Sequence, residues 1–221
     1  MDWIALRLSL ELAAITVVVL LPLAFALARL LAYRPFPGSG FVEAAVALPL
    51  VLPPTVVGFY LLTLLGAQSV SGRALAAVFG EPLAFSFTGL VVASLIVNVP
   101  FAVQPIKNAL AAIPPNVRDA ARVSGMGTWR SIRRVELPLA WPGLLTAFVL
   151  TFAHTLGEFG VVLMVGGAIP GETRTISIAI YDRVQAFDER AAGAMALFLL
   201  VVSVVALGIA HSAGRRAPRR G

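Results

Sequence analysis

Charged residues in this chain fall in clusters, and between the clusters lie long runs without any. Five runs stand out: Leu12–Ala28, Ala44–Gly72, Pro82–Ile106, Leu137–Gly157 and Ala191–Gly214. A helix needs about 20 apolar residues to cross about 30 Å of hydrocarbon. The first run is the shortest, but Leu8, Leu10, Leu30 and Leu31 extend it. A sixth, partial crossing is available in the uncharged stretch Phe159–Gly171, and Ala44–Gly72 is longer than one span needs. The pattern predicts an all-α, polytopic membrane bundle of five to six helices forming one domain over residues 1–221. The first run does not read as a cleaved signal, because Asp2 precedes it and no basic segment does.

Composition agrees. Of 221 residues, 59% are hydrophobic and 13% charged, and the mean hydropathy is +0.91. That is too little polar surface for a soluble domain of this length. With no cysteine, disulfides, thiolate metal sites and cysteine nucleophiles are excluded. Lys107 is the only lysine and follows Ile106, so no Walker A loop exists in this chain. No aromatic-interleaved basic stripe of the kind that binds nucleic acid is present. An intramembrane enzyme would need converging catalytic groups, and the five runs contain no aspartate at all. A passive channel would call for a charged ring or filter repeat.

Arginine placement sets the expected orientation. With the N-terminus outside and the C-terminus cytoplasmic, 12 of the 17 basic residues lie inside, and most of the acidic ones outside. The net charge of +6 then reads as topology and contact with anionic lipid. Trp3, Trp129 and Trp141 read as interface anchors. Several spans are interrupted: Pro49, Pro53 and Pro54 in the second, Pro100 and Pro105 in the third, Pro138 and Pro142 opening the fourth. Proline frees backbone carbonyls, which a neighbouring helix or a water-filled cavity must satisfy. The Pro53-Pro54 pair suggests a broken helix beside a pathway.

The longest basic loop, Lys107 to Glu136, has readable local physics. Pro114 and Pro115 stop what precedes them. Asn116 is suited to cap a helix, Asp119 stands three residues on, and Gly125 is a natural terminator. A short helix over Val117–Ser124, about 12 Å long, is expected outside the membrane. Its small residues Ala120 and Ala121 permit close approach to another protein surface.

Within this segment, Asp119-Ala120-Ala121, three residues, Gly125, nine residues, Val135, one residue, Leu137-Pro138 resembles the EAA motif of ABC importer permeases, with Asp for Glu and Val for Ile. In that family the segment is a coupling helix that seats on the ATP-binding subunit. The resemblance implies a coupling segment over about 114–138, with Asn116, Arg118, Asp119, Ala120, Ala121, Arg122, Gly125, Met126, Leu137 and Pro138 as its residues. Three further blocks, Leu48–Gly58, Leu156–Gly160 and Ile169–Ile176, look like the molybdate, tungstate and sulfate permeases of that family, the molybdate members most of all. The resemblance implies a prokaryotic inner-membrane permease acting as a homodimer, with two copies of an ATP-binding subunit. A binding protein outside the cytoplasm would deliver the oxyanion. No cofactor is expected on this chain; ATP and magnesium belong to the partner subunit.

Candidate pathway or gate residues are Pro53, Pro54, Ser94, Asn98, Thr151, Thr155, Gly157 and Glu158. Thr151, Thr155 and Glu158 share a helical face, as do Ser94 and Asn98. Such stripes line water or hold membrane helices together, and the sequence leaves both readings open. Glu158 is expected to act as a gate or loop anchor, paired with Arg174. His154 reads as a packed residue in preference to a proton carrier. Thr173, Arg174 and Thr175 are the candidates for meeting the anion or its binding protein outside, with a solvated loop as the other reading.

Overall fold

The computed structural model describes residues 1–34 and 36–215; side chains of Ala206 and of residues 209–215 lie outside that description. Among the described residues every regular element is helical. The helices are α1 (Trp3–Tyr33), α2 (Ser39–Val51), α3 (Pro54–Leu65), α4 (Val70–Phe79), α5 (Phe87–Ala111), α6 (Pro115–Val123), α7 (Thr128–Ser131), α8 (Leu137–Gly157), α9 (Gly160–Gly166), α10 (Ile176–Gln185) and α11 (Glu189–Arg215). One π-helical turn, Ile132–Glu136, joins α7 to α8. Residues 216–221, where the inside count placed Arg216, Arg219 and Arg220, lie outside the described residues.

Among the described residues, three continuous helices, α1, α5 and the Thr128–Gly157 rod, are long and apolar enough to cross a bilayer, and α2 with α3 makes a fourth if the bent pair counts as one. The fifth predicted run lies in the 27-residue α11. The expectation of five to six spans is therefore approximate. Ala44–Gly72 is not one rod: its helices meet at 112°. The cause is local. Leu52 ends α2, Pro53 is extended at φ −56° and ψ 138°, and Pro54 opens α3. Proline before proline cannot adopt helical ψ without a clash. The Phe159–Gly171 stretch contributes only the seven-residue α9, which lies against α3.

Packing of α1, α5 and α8 makes the centre. Small residues let these backbones close up, as expected where lipid offers no hydrophobic drive for helix association. Ala24 and Ala28 of α1 are almost fully buried, as are Ala102 of α5 and Ala140 and Ala147 of α8. A Cβ on Gly143 would sit 2.7 Å from the Pro105 carbonyl oxygen and against Ala109. The α3–α9 contact is equally close, since a Cβ on Gly58 would lie 2.7 Å from Met164 Cβ.

Polar contacts divide the molecule into two ends. At one end Arg29 pairs with Glu136, and the Tyr33 hydroxyl donates to Leu110 O. At the other, Arg174 reaches Asp2 and Asp182, and Ser9 Oγ accepts from the Ile176 N–H.

Candidate functional site: a capped external helix and a buried polar seam

The expected short helix exists as α6, but it starts earlier than the sequence suggests. Pro114 occupies the cap position and Pro115 the first turn, and no side chain caps the helix. Proline suits that place because its φ is preset and its missing N–H would be unpaired anyway. Asn116 is thus inside the helix, with Oδ1 accepting from the Val117 N–H at 3.0 Å. Asp119 makes no capping bond among the described residues; its nearest charge is Arg122 at 3.6 Å. The far end follows expectation. Gly125, at φ +71°, donates to Arg122 O at 2.9 Å, and Met126 donates to Ala121 O at 3.1 Å. This pair of bonds is the Schellman arrangement that glycine closes at a helix end.

The helix is seated on its own chain by one face. Ala121 is buried and Val117, Arg118 and Met126 are half-buried, while Asp119, Ala120, Arg122 and Val123 face outward. Of the two small residues, then, Ala121 closes onto this chain and Ala120 is the accessible one. The Arg118 guanidinium lies 4.1 Å from the centre of the Tyr33 ring, a cation–π contact. Arg29 lies 5.7 Å from the same ring and makes a forked pair with Glu136, at 2.6 and 3.0 Å. Glu136 is 2% exposed. The π turn before α8 carries it inward, and Leu137 and Pro138 begin the span immediately after. Sequence reasoning missed Tyr33, Arg29 and Glu136 as supports for α6. The one signal available was an acidic residue standing against a basic cluster, directly before the Leu-Pro step.

In the membrane-spanning part, the two predicted polar stripes meet. Thr16 Oγ1 donates to Ser94 Oγ at 2.9 Å, and Asn98 Nδ2 donates to the Ser94 carbonyl at 2.8 Å. With its amide nitrogen so used, Asn98 Oδ1 accepts from His154 Nδ1 at 3.1 Å. His154 Nε2 stands 3.6 Å from Glu158 Oε2, and Glu158 Oε1 accepts from the Val161 N–H at 2.9 Å. One seam thereby ties α1, α5 and α8 to the start of α9. Thr155 donates to the Thr151 carbonyl, and Thr151 Oγ1 has no partner among the described residues. Ser94, Asn98, Thr151 and Thr155 are all buried. Ser94 and Asn98 join α5 to α1 and α8, whereas the Thr155 hydroxyl bonds only within α8.

Glu158, Pro54 and His154 do face a cavity of about 200 Å³, with Pro49, Leu52 and Phe101 also in its wall. The cavity lies at the break between α2 and α3. His154 stacks on Phe101 with ring centres 4.1 Å apart. Pro53 and Gly157 are exposed beside this region.

The predicted Glu158–Arg174 pair is not formed. Arg174 binds Asp182 at 2.9 Å and Asp2 at 3.5 Å, because α10 and the start of α1 pack beside it. Thr173 is fully buried; its hydroxyl donates to Gly166 O at 2.6 Å and accepts from the Ile169 N–H. Thr175 is buried with its hydroxyl on Ser177. Neither threonine offers its hydroxyl to solvent here; both hold the 166–177 loop together.

The fold, with its broken span, is that of the membrane subunits of solved ABC transporters. It aligns with the structure of a bacterial ABC transporter involved in import of the polysaccharide alginate at TM-score 0.77, with 21% identity over 98% of this chain and 79% of that one. It aligns with the inward-facing MetNI methionine ABC transporter at TM-score 0.69, with 19% identity over 99% and 94% of the two chains.

The chain belongs to the family of binding-protein-dependent transport system inner membrane components, which residues 10–217 match. Among its relatives, the Azotobacter vinelandii molybdenum transport permease ModB is 46% identical over 91% of both chains. ModB of Escherichia coli K12 is 37% identical over 95% of this chain and 92% of its own. The sulfate permease CysT of Escherichia coli K12 is 34% identical over 85% and 67%.

Proposed function

We propose that this chain is the membrane subunit of an ATP-driven importer of molybdate. One observation carries the coupling half of the reading: α6 is a self-terminated helix with one face seated on the bundle and its other face, with Asp119, Ala120 and Arg122, exposed. The near-full-length identity of 46% to a molybdenum permease supports the substrate. Two such chains on a two-fold axis would enclose a water-lined route, since a dianion crossing hydrocarbon directly would cost many kcal/mol. Each α6 would dock on one of two ATP-binding subunits, which hold ATP and magnesium; this chain does no bond chemistry. The arginine count supports placing the α6 end at the cytoplasm. The opposite end, with the N-terminus and the Asp2–Arg174–Asp182 cluster, meets the binding protein.

The stroke has a physical line to follow. Movement of α6 drags Tyr33 through Arg118 and, with it, the ends of α1 and α5. Arg29–Glu136 carries the same displacement into α8. Packed helices shift between discrete arrangements, so the α2–α3 break can open on one side as it closes on the other.

The identity of 34% to a sulfate permease makes sulfate the second reading. Vesicles reconstituted with permease, ATP-binding subunit and binding protein decide between them. ATP-dependent accumulation of labelled molybdate, competed by tungstate and weakly by sulfate, is the expected result. Preferential competition by sulfate selects the second reading, and no ATP-dependent accumulation of either anion overturns both.

A further inference from the structure

An apolar groove of about 820 Å³ runs between α1 and α8 at the α6 end of the bundle. Leu21 and Phe25 line one wall, Leu144 and Phe148 the other. Trp129 and Trp141, 74% and 60% exposed, stand in the same wall. Amphipathic rings of this kind settle at the headgroup level of a bilayer. The groove ends at Ala26 and Arg29, and those two residues also open a second, polar pocket of about 400 Å³.

That pocket is basic. Arg29, Arg34, Arg118 and Arg122 line it against a single carboxylate, Glu136. Glu136 is already held by Arg29, and Arg122 is near Asp119. Arg34 and Arg118 have no carboxylate within 4.0 Å among the described residues, and the buried Arg118 Nε has no hydrogen-bond partner among them. A dry groove thus continues into a cationic pocket, at the depth where tryptophans mark the interface.

We propose that the joined groove binds one anionic glycerophospholipid, with acyl chain between α1 and α8 and phosphate between Arg34 and Arg118. Only an amphiphile fits both halves. A small anion would leave the apolar wall unfilled, and a soluble partner cannot enter the hydrocarbon half. The lipid phosphate bridges α6 to the end of α1. The proposal rests on the membrane placement of the family and not on which anion is carried, so the transport assay above can fail while this site stands.

The test uses the whole importer complex in nanodiscs of equal phosphatidylglycerol and phosphatidylcholine, released into native mass spectrometry. Phosphatidylglycerol is expected to stay bound several-fold over phosphatidylcholine. Arg34→Gln should cut that enrichment about fivefold, the worth of one basic residue at an anionic surface. Ala26→Trp, which blocks the junction of the two pockets, should abolish it. Equal retention of the two lipids, or enrichment unchanged in Arg34→Gln, overturns the site. So does disulfide formation between two copies carrying Leu145→Cys, introduced into a chain with no cysteine of its own, because a second copy would then fill the groove.

Discussion

Gly125 and Gly127 stand two residues apart and do different work. Gly125 has φ +71°, and nothing lies within 4 Å of where its Cβ would be. A side chain there meets no neighbour, only the backbone strain of the left-handed region. Gly127 has φ −65° and equally open surroundings. Gly125→Ala is therefore expected to weaken the end of α6 by about 1 kcal/mol. It should lower both co-purification of the ATP-binding subunit and transport-coupled ATP turnover, while Gly127→Ala leaves both unchanged. Equal behaviour of the two variants would show that the helix end plays no part in coupling. Asn116 teaches the complementary lesson. Its residue type suits a cap, yet Pro115 takes the first turn and moves Asn116 inside. Both preferences are local, and the stiffer one prevails.

At the scale of elements, close approach decides which helices can pair. Gly143 faces the Pro105 carbonyl, a backbone atom that cannot swing aside. Gly143→Ala should overpack α5 against α8 and cost about 1–3 kcal/mol, read as a lower Tm of the solubilised protein. Gly193→Ala, on α11 where nothing lies within 4 Å, should leave Tm in place or raise it slightly. A Tm unchanged by Gly143→Ala would mean that α5 and α8 are not in contact at this point. The break between α2 and α3 belongs to the same scale. Its prolines were plain in the sequence, and a broken helix follows from them. The 112° angle depends in addition on what α3 leans on, namely α9 at Gly58.

Over the whole molecule, Arg29 and Glu136 join parts of the chain 107 residues apart. They link the end of α1 to the start of α8, behind α6. Removing one partner of a buried pair typically costs about 3–5 kcal/mol, because the remaining charge has no compensation. Arg29→Ala should therefore depress Tm strongly. The double variant Arg29→Met with Glu136→Leu should recover most of it, yet transport per ATP hydrolysed should stay low if this pair transmits the stroke. Full recovery of both would assign the pair to stability alone.

Much of this protein was determined by the sequence alone: its membrane class, the places of its long apolar helices, the Pro53–Pro54 break and the glycine-ended α6. Each follows from hydrophobic length or from backbone preference within a few residues, which no distant contact needs to supply. The tertiary structure decided the rest. It turned Ser94 and Asn98 onto Thr16 and His154, gave Arg174 to Asp2 and Asp182 instead of Glu158, and buried Thr173 and Thr175. Those pairings depend on how each helix is rotated about its axis and which neighbour it meets. In a chain whose helices are apolar on nearly every face, periodicity carries little information about either.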